Sequence, residues 1–227
     1  MPTNEFENEK IVHVAVGDKE LEGALVVPKR AKAIVIFAHG SGSSRHSPRN
    51  KFVAQELNKL SLATLLIDLL TETEDRDYST RFDIALLARR LATVTDWVVD
   101  SPATKNLRIG YFGASTGAAA AIIAAASQGG KIGAVVSRGG RVDLAPDSLS
   151  KVVAPTLLIV GEYDFEVLEI NRQAYQSLTA LKEIVIVPKA THLFEEAGAL
   201  SQVAKLAGAW FCQHIKQGSK KRLVKVI

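Results

Sequence analysis

Short runs of β-branched and aliphatic residues alternate with amphipathic stretches along the 227 residues of the chain. The apolar runs fall at 11–16, 21–27, 33–37, 63–67, 107–112, 134–137, 156–160 and 183–187. The amphipathic stretches fall at 50–60, 81–100, 115–128, 166–179 and 195–216. A period near 3.6 marks a helix, whereas a continuous apolar run marks a strand buried on both faces. LATLLID, APTLLIVG and EIVIVP are of the second kind. Only residues 17–20 separate the first two runs, which predicts an antiparallel hairpin. Strands and helices then alternate as in βαβ units, predicting an α/β fold with a mostly parallel sheet and helices on both faces. No repeat or linker interrupts the pattern. The reading is one domain over 1–227, with 1–10 and 218–227 expected to be flexible and 71–80 and 139–150 expected to be polar loops.

Sheets of this kind bind ligands beyond the carboxyl ends of their strands, so the residues that follow each run matter most. They are His39-Gly-Ser-Gly-Ser-Ser-Arg45, Asp68, Gly113-Ala-Ser115-Thr-Gly117, Ser137-Arg138-Gly-Gly-Arg141, Gly161-Glu-Tyr-Asp164 and Thr191-His192. Polar and titratable side chains gather on one edge.

IGYFGASTGAAAA reads as a strand, a G-x-S-x-G turn and an Ala-rich helix. A nucleophile elbow needs such a sharp turn, with Gly113 and Gly117 removing side chains that would collide with neighbouring elements. The Thr116 N–H and the helix N-terminus then face a developing oxyanion. Serine needs an adjacent base, and in this arrangement the acid and then the histidine follow it along the chain. His192 is the expected base, since His13 and His214 lie off the ligand edge. Asp164 is the favoured acid, with Glu162 as the alternative. A second oxyanion donor is expected from the N–H of Ser41 or Gly42, while His39 braces the loop. Arg45, Arg138 and Arg141 sit on the same edge. They are read either as contacts to an anionic substrate group or as structural ion pairs with Asp68 and Asp143.

Composition removes other classes. The chain is 47% apolar and 23% charged, unlike disordered or fibrous sequences. A single cysteine excludes an internal disulfide or a multi-Cys metal knuckle; Cys212, in the last amphipathic stretch, is expected in the core. HGSGSS lacks the G-K-[ST] ending of a phosphate loop, and the two histidines of HGSGSSRH find no third ligand, so no metal is expected. Lys220, Lys221, Arg222 and Lys225 account for the whole excess of 28 basic over 24 acidic residues. The neutral remainder argues against a nucleic-acid partner. No uncharged stretch is long and unbroken enough to insert into a membrane, and MPTNEFENEK is unlike a signal peptide, so a cytoplasmic protein is expected.

Together HGSGSSRHSPRN, LATLLIDLL, GYFGASTG, VVSRGGR, APTLLIVGEYD and ATHLFEE resemble the α/β-hydrolase superfamily, and within it the small dienelactone hydrolase-like enzymes. The resemblance runs from about Val12 to Gln217. It implies a sheet of about eight strands, no cofactor and a Ser115–Asp164–His192 triad; the triad chemistry is that of a small acyl substrate, and the short interval between 137 and 156 leaves no large cap domain to be expected. Dienelactone hydrolases carry Cys in the elbow, where this chain has Ser115.

Overall fold

β1 (Lys10–Val16) and β2 (Lys19–Val26) form the expected hairpin, paired antiparallel from Lys10 opposite Leu25 to Val16 opposite Lys19. The computed structural model describes residues 9–215. The expectations for the extreme N-terminus and for the basic tail lie outside these residues. β2 pairs antiparallel with β4 (Ala63–Ile67). From there β3 (Ala33–Ala38), β5 (Arg108–Ala114), β6 (Ile132–Arg138), β7 (Thr156–Gly161) and β8 (Lys182–Val187) continue in parallel. The order across the eight-stranded sheet is β1-β2-β4-β3-β5-β6-β7-β8. Strand order reverses at β3, which leaves a crevice between the carboxyl ends of β3 and β5.

The side-chain alternation of each strand divides the core into two layers. α3 (Ile84–Asp100), α4 (Thr116–Gln128) and α6 (Phe165–Ser177) pack on one face, over Ile34, Ile36, Tyr111 and Val135. α1 (Pro48–Lys59) and α7 (Ala199–His214) pack on the other, over Val35, Phe37, Phe112 and Val136. α4 is buried along most of its length, and its alanines let it lie close to β5 and α3. Bulkier residues would hold these elements apart.

Boundaries moved where local chemistry outweighed periodicity. α3 starts at Ile84 because Asp83 caps it, accepting the Leu86 N–H at 2.8 Å. Residues 195–198 stay outside α7 because Gly198 takes φ 81° ahead of it. The 71–80 loop contains α2 (Glu72–Asp75), closed by a capping box between Thr71 and Glu74. The 139–150 loop contains a 3₁₀ turn and α5 (Pro146–Leu149). Cys212 faces outward on α7, contrary to the core placement expected for it, because it falls on the solvent side of the helix. Among the described residues, no helix is long and apolar enough to cross a membrane.

Glu74 ties the edge of the sheet to α3. Its carboxylate takes two 2.6 Å bonds from the buried Arg90, contacts Lys19, and accepts the Thr71 N–H at 2.9 Å. The Arg90 guanidinium, above all, holds this carboxyl far below its ordinary value of 4.5. A depressed carboxyl stabilises the fold fully above its unfolded value and loses that contribution as the pH falls below it. Glu74→Gln should therefore lower stability at neutral pH by about 3 kcal/mol, as when one partner of a buried pair is removed. In urea titrations the deficit should narrow from pH 5 towards pH 3; a deficit independent of pH would contradict this account.

Candidate active site

β5 ends against α4 with almost no room for side chains at the turn. Ser115 joins them at φ 51°, a left-handed value that costs a non-glycine residue energy. The flanking glycines are what allow the turn. A Cβ on Gly117 would stand 2.1 Å from the Ala38 carbonyl oxygen, and one on Gly113 would stand 2.5 Å from the Ala118 Cα. The turn is pinned from β6, since the Ser115 N–H donates to the Arg138 carbonyl and the Arg141 N–H donates to the Ser115 carbonyl. Ser115 is thus held in place by its neighbours' main chains.

His192 arrives on the loop after β8, with Nε2 3.4 Å from Ser115 Oγ and Nδ1 2.7 Å from Asp164 Oδ2. Asp164 ends the turn after β7, and its side chain is largely buried. Glu162, the alternative acid, is turned away and accepts the Lys189 N–H at 2.7 Å. The histidine loop is braced twice. Glu196 accepts the N–H and hydroxyl of Thr191, and these bonds lower its pKa. Gly139, at φ 54°, lets the β6 loop lie against the His192 ring, where a Cβ would be 3.4 Å away. Asn171, fully buried on α6, donates to the Gly140 carbonyl at 2.9 Å and holds that loop down.

The loop after β3 covers the elbow. Gly40 lies so close that a Cβ there would be 3.0 Å from Ser115 Cβ, and the Ser41 N–H donates to Thr116 Oγ1 at 2.8 Å. Both expected oxyanion segments, 41–42 and the N-terminus of α4, therefore meet beside Ser115. His39 turns Nδ1 to the Gly40 carbonyl and Nε2 towards Asp68, bracing the loop.

Two of the three arginines make the ion pairs of the alternative reading. Arg45 is bound by Asp68 and Glu22. Arg141 is bound by Asp143, which raises its pKa. Arg138 runs into the protein interior on the α1 face, 7% exposed. None of the three is a free cation over Ser115, because each lies within reach of a carboxylate or of the core. A cation that does line the loop after β3 is Arg81, whose Nη1 would stand 3.7 Å from a Cβ on Gly42 while its Nε and Nη2 bind Asp75. Sequence pattern placed Arg81 at the start of a helix and gave no sign of this. A concavity of about 390 Å³ lies to one side, between Arg45, Asp68 and Glu72. It is lined by neither Ser115 nor His192. Only the short 3₁₀ turn and α5 stand between β6 and β7, so no large cap covers the site. Among the described residues, no cluster of His, Cys, Asp or Glu has the arrangement to hold a metal ion.

No family model matches the chain. The solved structure of a dienelactone hydrolase from Anabaena variabilis is 55% identical in sequence, covers 92% of this chain and 99% of its own, and superposes with a TM-score of 0.90. The chain belongs to the α/β-hydrolase superfamily, among its dienelactone hydrolase-like members. Est1E from Butyrivibrio proteoclasticus shares the hydrolase fold at 16% identity, with a TM-score of 0.77 over 89% of this chain and 98% of its own. A curated relative from Mycobacterium tuberculosis, named "Putative phosphoribosyl transferase", is 55% identical over 204 residues. This hydrolase-fold chain is covered to 90% by that match but spans only 46% of the relative's length.

Two glycine substitutions should separate the parts of this hydrolase site. Gly117→Ala places a methyl on a main-chain oxygen that cannot move aside, and should destabilise by more than about 3 kcal/mol in denaturant melts. Gly40→Ala asks its neighbours to yield only a few tenths of an ångström. It should fold, yet react roughly tenfold more slowly with a serine-directed fluorophosphonate, since small misplacements at a reacting centre are costly. Wild-type labelling by Gly40→Ala would argue against the close fit of loop and nucleophile.

Proposed function

We propose that the protein is a cofactor-independent serine hydrolase that cleaves an ester, lactone or related acyl bond. One observation carries the reading: Ser115 sits at a positive-φ elbow within reach of His192, whose other nitrogen bonds a shielded Asp164. The same chain order and strand–turn–helix context are expected of an acyl-transfer triad. The Anabaena neighbour's name, dienelactone hydrolase, belongs to the same chemistry.

In this mechanism His192 Nε2 takes the hydroxyl proton as Ser115 Oγ attacks the acyl carbon. Asp164 fixes the Nδ1–H tautomer and balances the imidazolium. The oxyanion is received by the Thr116 N–H and by the 41–42 segment. Since the Ser41 N–H rests on the Thr116 hydroxyl, that donor changes partner when a carbonyl oxygen arrives. The acyl–oxygen bond then breaks, the imidazolium protonates the departing alkoxide, and water releases the acyl group by the same steps in reverse. With an alcohol or hydrogen peroxide in place of water, the same triad would carry out acyl transfer or perhydrolysis.

The phosphoribosyl transferase name is not carried over. More than half of the mycobacterial relative lies outside the match, and the elbow described here is built for an acyl carbon.

Fluorophosphonate labelling, followed by rates on a panel of p-nitrophenyl esters and lactones, tests the proposal. Ser115→Ala and His192→Ala should each lose labelling and lower kcat by several orders of magnitude, and the double variant should be little worse than either. A folded wild-type protein that resists labelling would favour a binding protein that kept the fold. Asp164→Asn should lose roughly 10⁴-fold in kcat, while Glu162→Gln should stay near wild type. The reverse ranking would reassign the acid.

A further inference from the structure

Beneath the His192 loop lies a positive charge without a counter-charge. Val136 and Arg138 project from the same face of β6, two residues apart, and Val136 packs in the layer formed with α1 and α7. Arg138 therefore extends towards the end of α1 that starts at Pro48. Its guanidinium lies over the ring of Phe194, 5.8 Å from the centroid, two residues past His192. Nε and Nη1 are both shut off from solvent and have no hydrogen-bond partner. Among the described residues, no carboxylate is paired with it.

The nearest charge makes matters worse. Arg49, in the first turn of α1, repels Arg138. Burial and that repulsion lower the Arg138 pKa only to about 10, so the guanidinium remains charged at neutral pH. Arg49 also buries an unpartnered Nε, and its one carboxylate contact is to the exposed Glu195 at 2.8 Å. Asn50 adds a buried carboxamide Oδ1 without a donor, which supplies at most one neutral acceptor. Among the described residues, two guanidiniums thus share a single surface carboxylate and leave three buried nitrogens without an acceptor. A charge so placed is costly unless something neutralises it.

We propose that this is an anion site, in which a small inorganic anion such as chloride or phosphate bridges Arg138 of β6 and Arg49 of α1. In the first turn of α1 Pro48 has no N–H and the Asn50 N–H donates to Ser47 Oγ, so the Arg49 N–H is what this helix end can add. The ligand has to be compact, because Arg138 is more than nine-tenths buried. Through the Phe194 ring, the bound ion supports the segment that carries His192. The site does not depend on the hydrolase reading, since it concerns binding and stability alone.

The test compares wild type, Arg138→Gln and Arg49→Gln in sodium gluconate and in sodium chloride or phosphate of equal ionic strength. Wild-type Tm should rise with the inorganic anion, by about 5–10 °C at a hundredfold excess over Kd. Arg138→Gln should lose that rise, and its Tm in gluconate should be no lower than that of wild type, because an unanswered buried charge has been removed. Arg49→Gln, which alters a more accessible side chain, should weaken the anion response at least tenfold in Kd. Crystals soaked in bromide should show an anomalous peak between the two guanidiniums. Equal anion response in wild type and Arg138→Gln, or no bromide peak there, would overturn the proposal. So would an anion that raises KM for a neutral ester while leaving Tm unchanged, since Arg138 would then be a substrate contact.

Discussion

The contact between the Gly117 main chain and the carbonyls of Ala38 and His39 governs the rest of the site. With the position of a Cβ only 2.1 Å from the first of these oxygens, α4 can start where it does only if residue 117 has no side chain. That close approach sets the depth of the elbow beneath the loop after β3, and so the strain at Ser115. It also brings the two segments of donors to one point. The central strand pair, β3 and β5, then carries both Ser115 and the 40–42 loop on a rigid base buried on both faces.

Much of this was legible in the sequence because it follows from periodicity and from glycine. The eight apolar runs became eight strands, since central parallel strands cannot tolerate polar residues on either face. Gly113 and Gly117 point to the elbow for a steric reason, and both lie where a Cβ would collide with main chain. Asp164 and Glu162 both follow the strand before the turn, and the carboxylate beside His192 is that of Asp164. Other features were hidden because they depend on which residues distant loops bring together. Nothing local in Arg45 indicates that Glu22, on a strand far upstream, will bind it. Arg81 was taken as part of a helix, because apolar spacing does not register the Asp83 cap that ends the loop before it. Cys212 misled through residue type: cysteine is commonly buried, yet on α7 it occupies the outward side.

The arginines show how one residue type on one sheet edge divides into separate roles. Arg45 and Arg141 are held by carboxylates and stiffen loops. Arg81 shares Asp75 and turns its remaining nitrogen to the oxyanion loop. Arg138 alone is enclosed without a partner. Position along the chain does not distinguish these four; the side of the strand and the residues across the loop do.

Ser115, Asp164 and His192 follow β5, β7 and β8, and the 41–42 segment beside Ser115 follows β3. No contiguous piece of the chain contains a working subset. A ribosome that has released β5 and α4 has made the serine but neither its acid nor its base, and the strained turn has β3 beside it but not yet the β6 loop that pins it. Under the proposed mechanism, reactivity is withheld until β8 has joined the sheet. A nascent or clipped chain that lacks residue 192 would then carry Ser115 as an ordinary serine, and the chemistry would begin only at the last step of assembly.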